Sequence, residues 1–393
     1  MIPSQAPEQR TLSMPALGGS PFPPRACDEF DAWLRAPVPL ASPDPGIEIR
    51  RAQPSEFERI YDLIDEAFEV KRSRALCDWA YRRNPYGLAR CWISEERATG
   101  RLVGVVVNWP WPLAHGTRPL PAAQGGDAVT APGWQRRGIH EHAGTIRESH
   151  PWIRSIVNYG WPNPASVRRV RKRGRGQRLV GALSQRILPL HTHACLAEYP
   201  LLRPLSAVGG PILDTLFATW SRTILDKPFV GCVERVQRFD NAFDEVTRRC
   251  MPWEGYWSPH DAEFLNWRYL GDPVREHVAF ALTVGTTLAG YAVVRIGRGQ
   301  ARLMELVVPD DQPQAARTLV FHVLKAAADA GCSHVAVAAP PPWPHWRLLR
   351  SAGFVRVPSS YFMYAYSFRN DTPDVQALKS WRFLGGDLDP FID

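Results

Sequence analysis

At 393 residues the chain is too long for one ordinary hydrophobic core and suits two domains plus a tail. Its 45% apolar and 22% charged residues are those of a soluble globular protein, and the longest apolar run, Leu102 to Val107, is far short of a membrane-spanning helix. A net charge of +8, carried by 42 arginines against five lysines, permits attraction to a polyanion, whether a phosphate cofactor or nucleic acid.

Residues 1–46 are rich in proline and small residues and read as a mostly disordered leader, with one short helical turn around DEFDAWLR. MIPSQAPEQR has no basic segment followed by an apolar one, so no signal peptide is expected and a cytoplasmic location is. Seven scattered cysteines without a C-x-x-C point to reduced thiols rather than a disulfide framework or a zinc ribbon. Regular structure is predicted from Ile47: a strand IEIRRAQ, then a helix whose apolar face is Phe57, Ile60, Leu63, Ile64 and Phe68, capped by Ser55 with Glu58. WAYRRNP ends the next helix, and CWISEE and RLVGVVVNW form a hairpin. GGDAVTAPGWQRRGIHEHAGTIRES reads as strand, tight loop and helix, IRSIVNYGW as a strand, and PNPASVRRVRKRG as a helix stopped by Gly174.

The second half repeats this order. FDEVTRRC is helical, WRYLGDP echoes WAYRRNP, and HVAFALTVG with TLAGYAVVRIG makes a second hairpin. Strand, loop and helix follow in ARLMELVVPDDQPQAARTLVFHVLKAAADAG, then a strand HVAVAAP and a helix ending at Gly353. Four landmark pairs recur in register: Trp79 with Trp267, Gly104 with Gly290, Pro132 with Pro309, and Gly174 with Gly353. Their separation drifts by only about ten residues, which is what a duplicated domain with loop deletions produces.

The sharpest local signal is Pro132-Gly133-Trp134-Gln135-Arg136-Arg137-Gly138-Ile139-His140 between a strand and a helix. Such a turn presents successive backbone N–H groups at a helix N-terminus, where the dipole favours a pyrophosphate. Gly138 lets backbone approach the ligand, and Arg136 and Arg137 add charge. Here the sequence resembles the GNAT (Gcn5-related) N-acyltransferase superfamily, whose loop reads [Q/R]-x-x-G-x-[G/A]; His140 stands at its last position. A second pattern of that family matches Asn163, Ser166, Lys172 and Gly174, with Val170 where many members carry a general-acid tyrosine. The resemblance spans residues 47 to about 368. It implies an α/β fold, with α+β mixed sheets and flanking helices, as two GNAT-like domains in tandem: residues 47–190 binding acetyl-CoA or another acyl-CoA, a linker 191–235, and a degenerate second copy over 236–393. In that copy PDDQPQAARTLV lacks both the glycine and the positive charge.

The acyl-CoA contacts implied are Gln135, Arg136, Arg137, Gly138, Ile139, His140, Asn163 and Lys172. Amide formation needs the amine deprotonated and the carbonyl polarised. Asp127, on the strand ahead of the loop, could face the acceptor amine or be an ordinary strand-end aspartate satisfied by backbone N–H groups, and Asn158, on the following strand, could orient the acyl carbonyl or a substrate. Tyr159 beside it reads at least as well as core. SWRFLGGDLDPFID holds Asp387, Asp389 and Asp393; in some tandem members the terminal carboxylate enters the site as base, which makes Asp393 the tail's candidate. His140-Glu141-His142 lacks the H-E-x-x-H spacing, so no metal is expected. The run Val167 to Arg178 has no interleaved aromatics to stack bases, so nucleic acid is not the expected partner. The reading is an acyl-CoA-dependent N-acyltransferase acting on a small-molecule, amino-sugar or peptide amine. A FemABX-like transferase using aminoacyl-tRNA and a non-catalytic sensor or scaffold with the same fold are the alternatives.

Overall fold

The computed structural model describes residues 27–38, 40–164, 166–168, 178–191, 215, 219, 231–250 and 254–391. Helix α1 (Cys27–Arg35) precedes strand β1 (Ile47–Arg51), helices α2 (Phe57–Phe68) and α3 (Arg74–Tyr81), and the hairpin β2 (Arg90–Glu96) and β3 (Leu102–Pro110). Two short strands, β4 (Leu113–His115) and β5 (Arg118–Leu120), lead into β6 (Ala122–Thr130), helices α4 (Ile139–Ser149) and α5 (Pro151–Arg154), and β7 (Val157–Gly160). Strands β8 (Arg178–Ala182) and β9 (Ser184–Pro189) follow.

The second half supplies β10 (Cys232–Arg235), helix α6 (Asn241–Cys250), β11 (Tyr256–Trp257), helix α7 (Ala262–Leu265), the hairpin β12 (Glu276–Val284) and β13 (Thr287–Ile296), and β14 (Gln300–Val307). Helix α8 (Pro313–Asp329), β15 (His334–Ala339), helix α9 (Trp346–Ser351), β16 (Val355–Val357), β17 (Phe362–Ser367) and β18 (Trp381–Arg382) complete it.

Both predicted hairpins form, and the strand–loop–helix segments fall where the periodicity places them. One sheet runs β1-β2-β3-β6-β7-β17-β8 and the other β10-β12-β13-β14-β15-β9-β16. The halves therefore exchange strands: β17, from the end of the chain, pairs antiparallel with β7 and β8, while β9 pairs with β15 and β16. A third sheet, β18-β11-β4-β5, takes two strands from each half. One hydrophobic cluster runs through both halves, from Phe57, Ile60 and Ile64 to Leu319, Val323 and Leu349.

The echoed segments form a joint. The indoles of Trp79 and Trp267 stack with centroids 4.8 Å apart. Each donates its Nε1–H to the other's backbone carbonyl, Trp79 to Trp267 at 2.9 Å and Trp267 to Trp79 at 3.2 Å. Equivalent residues of two copies bonding reciprocally is the contact that a two-fold relation generates.

Three local expectations need correction. DEFDAWLR forms a full helix whose Phe30 and Trp33 are buried with Trp92, so this part of the leader is fastened to the first sheet. Ser55 does not cap α2: Pro54–Glu56 form a 3₁₀ turn whose own cap is Gln53, with the Glu56 carboxylate accepting from the Gln53 amide at 2.9 Å, and α2 starts from Glu56 at its N-cap position. Phe68 ends the apolar face of α2 but is 43% exposed, since Glu69 turns the chain into the left-handed region beside a cavity.

Candidate functional site

The loop between β6 and α4 reverses direction through three residues of positive φ, Gly133 (79°), Arg136 (65°) and Gly138 (76°). Glycine is unstrained there, whereas a side chain at Gly138 would also meet the His142 ring at 3.3 Å. Gly138 caps α4, whose first turn opens onto the loop. The amides of Arg136, Arg137 and Gly138 meet no backbone carbonyl among the described residues. Donors of this kind at a helix N-terminus suit a phosphate. Gln135, Arg136, Gly138, Ile139, His140, Asn163 and Ser166 line a surface pocket here. Arg137 instead lies over the Trp134 ring at 4.5 Å, and Ile139 is core, packed with Ile47 and Val103. Asn163 accepts from the Ser166 amide at 2.8 Å, capping the turn that begins there.

Deeper in, β6 and β7 splay apart. They pair in parallel only from Ala122–Val157 to Gly125–Gly160, although β6 continues to Thr130. A cavity of about 480 Å³ fills the gap between Gly126–Ala128 on one wall and Trp161–Asn163 on the other. This is the volume of a small-molecule site. His140, Gly144 and Arg147 reach it from α4, and Phe68, Val70 and Arg72 from the segment after α2. The β3–β6 ladder slips here, with Val105 opposite Val129 but Val107 opposite Gly126, which makes a bulge at Asp127 and Ala128. Asp127 takes φ 42°, a conformation aspartate tolerates better than most residues.

The Asp127 carboxylate is already engaged. Arg72 Nη1 donates to both of its oxygens at 3.1 and 2.9 Å, and the Tyr81 hydroxyl donates at 2.7 Å. The chain's tail completes the wall, since Asp389 and Phe391 both line the cavity and Arg72 lies over the Phe391 ring at 4.3 Å. Gly126 makes room for it: a Cβ there would stand 2.3 Å from the Trp109 ring and 2.7 Å from Asp389 Oδ2. Burial first, and then the charge of Asp127, push the Asp389 carboxyl up to about 7. The Arg72 and Arg268 cations and the Phe391 amide, which donates to Oδ1 at 2.8 Å, oppose that rise.

A buried polar cluster fixes the tail. His260 lies between Glu305, 3.0 Å from Nδ1, and Asp387, 3.1 Å from Nε2, and the Tyr269 hydroxyl donates to Glu305. Arg268 donates to the carbonyls of Gly386 and Leu388 at 3.0 and 2.9 Å. The Asp387 carbonyl takes hydrogen bonds from Gln124 at 2.7 Å and Trp161 at 2.8 Å. Asp387 is thus consumed in holding the tail, and Asp389 is the acidic side chain it delivers to the cavity.

Of the candidate site residues singled out in the sequence, Asp127, His140, Asn163, Ser166 and Asp389 line this cavity. Asn158 is wholly buried behind Gly125, whose Cβ would lie 3.4 Å from its Oδ1, and Tyr159 is core, stacked on Phe383. Lys172, Val170, Gly174 and Asp393 lie outside the described residues, as does most of the basic run 167–178 on which a tRNA-dependent reading rests. Sequence reasoning missed Arg72, Tyr81, Arg147 and Tyr364. Arg147 alone carried a signal, being the one charged residue on an α4 face otherwise made of Ile139, Ala143, Gly144 and Ile146. Among the described residues no group of His, Cys, Asp and Glu could hold a metal ion, and no helix is long and apolar enough to cross a membrane.

Residues 48–142 match the family model described as an acetyltransferase (GNAT) domain. No curated protein matches the sequence. Among solved structures, the chain is similar to a GCN5-related N-acetyltransferase from Anabaena variabilis ATCC 29413, at 10% identity over 82% of this chain and 73% of that one, with a TM-score of 0.56. A tandem GNAT protein from the clavulanic acid biosynthesis pathway matches at 15% identity, 83% and 100% coverage, and a TM-score of 0.52. Saccharomyces cerevisiae N-myristoyltransferase with bound myristoyl-CoA matches at 10% identity, 84% coverage of both chains, and a TM-score of 0.52. At these identities the likeness establishes the fold, a tandem GNAT architecture.

Proposed function

We propose, from the premise that the chain belongs to the GNAT acetyltransferase superfamily, that it transfers an acyl group from acyl-CoA to an amine in the cleft between β6 and β7. Membership of an acyl-CoA-dependent enzyme family supports the catalytic reading over a non-catalytic sensor or scaffold. The observation that carries the proposal is the continuity of the site. His140 and Asn163 line both the pocket at the 133–138 loop and the deeper cavity, so a thioester held by its phosphates at one end reaches the bulge at the other.

In this reading the loop amides and Arg136 hold the pyrophosphate, and amides freed at the Asp127 bulge donate to the carbonyl oxygen. The acceptor enters on the tail side as an ammonium group, attracted by Asp127 and Asp389. Asp389 takes its proton, because Asp127 is committed to Arg72 and Tyr81. The neutral nitrogen then attacks the thioester carbon, the nitrogen–carbon bond forms, and the carbon–sulfur bond breaks. A second nitrogen proton is lost as the amide forms, and the departing thiolate takes up a proton to leave as CoA–SH. The net products are amide, CoA and one proton. Asp389 therefore replaces the tail's terminal carboxylate as the proposed base.

Acetyl-CoA at about 100 times its dissociation constant should stabilise the chain by about 2.7 kcal/mol in a thermal-shift assay. Gly138→Glu, which puts a side chain and a negative charge into the loop, should remove that response. Gly138→Ala controls for the left-handed backbone, whose strain is about 1–2 kcal/mol. No shift with acetyl-CoA or longer acyl-CoAs in the unsubstituted chain rules the proposal out.

A further inference from the structure

The cavity is charged asymmetrically across the first sheet. Successive residues of β6 point to opposite faces. A Cβ on Gly126 would point at Trp109 and Asp389, whereas one on Gly125 would meet the Tyr364 hydroxyl at 2.2 Å, Asn158 Oδ1 at 3.4 Å and Asn108 Nδ2 at 3.5 Å. The carboxylates of the cleft thus lie toward one face and a cluster of neutral polar groups toward the other. In the middle of that cluster is Arg147, which lines the cavity from α4 yet is only 4% exposed.

Arg147 is charged but mostly neutrally partnered. Its Nη1 donates to Asn108 Oδ1 at 3.2 Å and its Nη2 to the Tyr366 hydroxyl at 2.6 Å. Among the described residues its ion-pair partner is Glu148, whose Oε1 lies 3.6 Å from Nη2, longer than a hydrogen bond. Its Nε is buried without a partner, as are Asn108 Nδ2 and both polar atoms of the Asn158 carboxamide. A buried guanidinium with one long ion pair and an unpartnered Nε–H has donor capacity left over, and a carboxylate is the group its planar fork fits best. The two glycines at the end of the β6–β7 pairing, Gly125 and Gly160, make room for Tyr364, which lines the cavity with Arg147: a Cβ on Gly160 would stand 2.8 Å from the Tyr364 hydroxyl.

We propose that Arg147 receives the free carboxylate of a dicarboxylic acyl group, so that the preferred donor is an ω-carboxyacyl thioester of the succinyl type rather than a plain alkanoyl one. This rests on the acyl-CoA reading above and specifies its donor. A thioester crossing the splay at the bulge has its carbonyl open to the amine on the Asp389 face, and its acyl end continues toward the Arg147 face. The acceptor's own carboxylate is the other source of such an anion. The amine must reach the carbonyl from the acidic face, however, which leaves the body of the acceptor on the side away from Arg147. Transfer itself is unchanged: nitrogen–carbon forms, carbon–sulfur breaks, and the distal carboxylate stays ionised throughout.

The test compares succinyl-CoA with butyryl-CoA, of equal chain length and without the charge, by titration calorimetry on the full chain. Succinyl-CoA should bind at least about tenfold tighter, as expected of a charge-assisted hydrogen bond in a buried site. Arg147→Met should bring the two affinities together, and Arg147→Lys should restore part of the gap. The comparison on the unsubstituted chain stands even if Arg147→Met fails to fold. If acetyl- and butyryl-CoA bind but succinyl-CoA binds no tighter, this inference is overturned and the acyl-CoA reading survives. If no thioester binds, both fall. If amino acids are acetylated faster than their amides, without any preference for the succinyl donor, the carboxylate comes with the acceptor and the donor assignment is wrong.

Discussion

Asp389 combines two properties that a catalytic base near neutrality requires, burial beside another carboxylate and access to the cavity. The sign of its pH effect follows from linkage. Between the ordinary aspartate range and about 7 the folded chain retains a proton that the unfolded chain has released. Stability from this group is therefore full at low pH and lost as pH rises towards 7. Activity runs the other way, because only the ionised form accepts a proton. In a pH profile, kcat/KM should rise along a limb centred near 7. Asp389→Asn should erase that limb and lower kcat/KM by about 10² to 10⁴-fold. The same variant should melt no lower than the unsubstituted chain at pH 8, since it removes a buried charge while keeping an acceptor for the Phe391 amide. A variant that loses activity only in proportion to lost folding would assign Asp389 a structural role. The acidic tail was visible in the sequence, and which of its aspartates faces the cavity was not. Three aspartates in seven residues read alike until the fold turns Asp387 onto His260 and leaves Asp389 facing Asp127.

At the scale of elements, the tail works only if its anchor holds, and the anchor is ionic. Burial alone would lower the His260 imidazolium, but Glu305 and Asp387 on either side outweigh it and raise the group to about 10. A histidine raised in the folded state stabilises it fully below its ordinary value near 6.5 and loses that contribution as pH climbs through the folded value. Thermal melts between pH 7 and 10 should therefore show a steeper loss of stability than in His260→Gln, and a slope unchanged by that substitution would exclude the ion cluster as its source. Activity should fall over the same interval as the tail loosens. Elements with strong periodicity, such as α2, α8 and the two hairpins, were legible because one face of each meets the core. The strand exchange was not. Strands β9 and β17 are each six residues long, and alternation in so short a run says that a residue faces inward without saying which sheet it joins. The loop at 133–138 was readable for the opposite reason, since its positive φ angles demand glycine where glycine stands, with Arg136 the exception.

For the whole molecule, the exchanged strands and the tryptophan joint make folding of one half conditional on the other. The first sheet is complete only with β17, and the second only with β9. The indoles at the joint are buried, and each supplies the partner for the other's backbone carbonyl. Trp79→Phe and Trp267→Phe should each cost about 1–3 kcal/mol in denaturant unfolding, chiefly through the unpaired carbonyl left behind. Because each substitution breaks one bond of a reciprocal pair and disturbs the same stack, their double-mutant cycle should show a coupling of about 0.5–3 kcal/mol, whereas strict additivity would mean that the two copies are energetically independent at this joint. Duplicated domains joined by a simple linker would unfold separately. Here circular dichroism and tryptophan fluorescence should trace one coincident transition. A chain stopped after Gly353 loses β17, the His260 anchor's Asp387 and Asp389 together, so it should lack that transition and gain no stability from acetyl-CoA. Two resolved transitions in the full chain, or a cooperative fold in the shortened one, would show that the exchange decorates two self-sufficient domains; a single transition lost on shortening means that the second copy supplies part of the first copy's sheet.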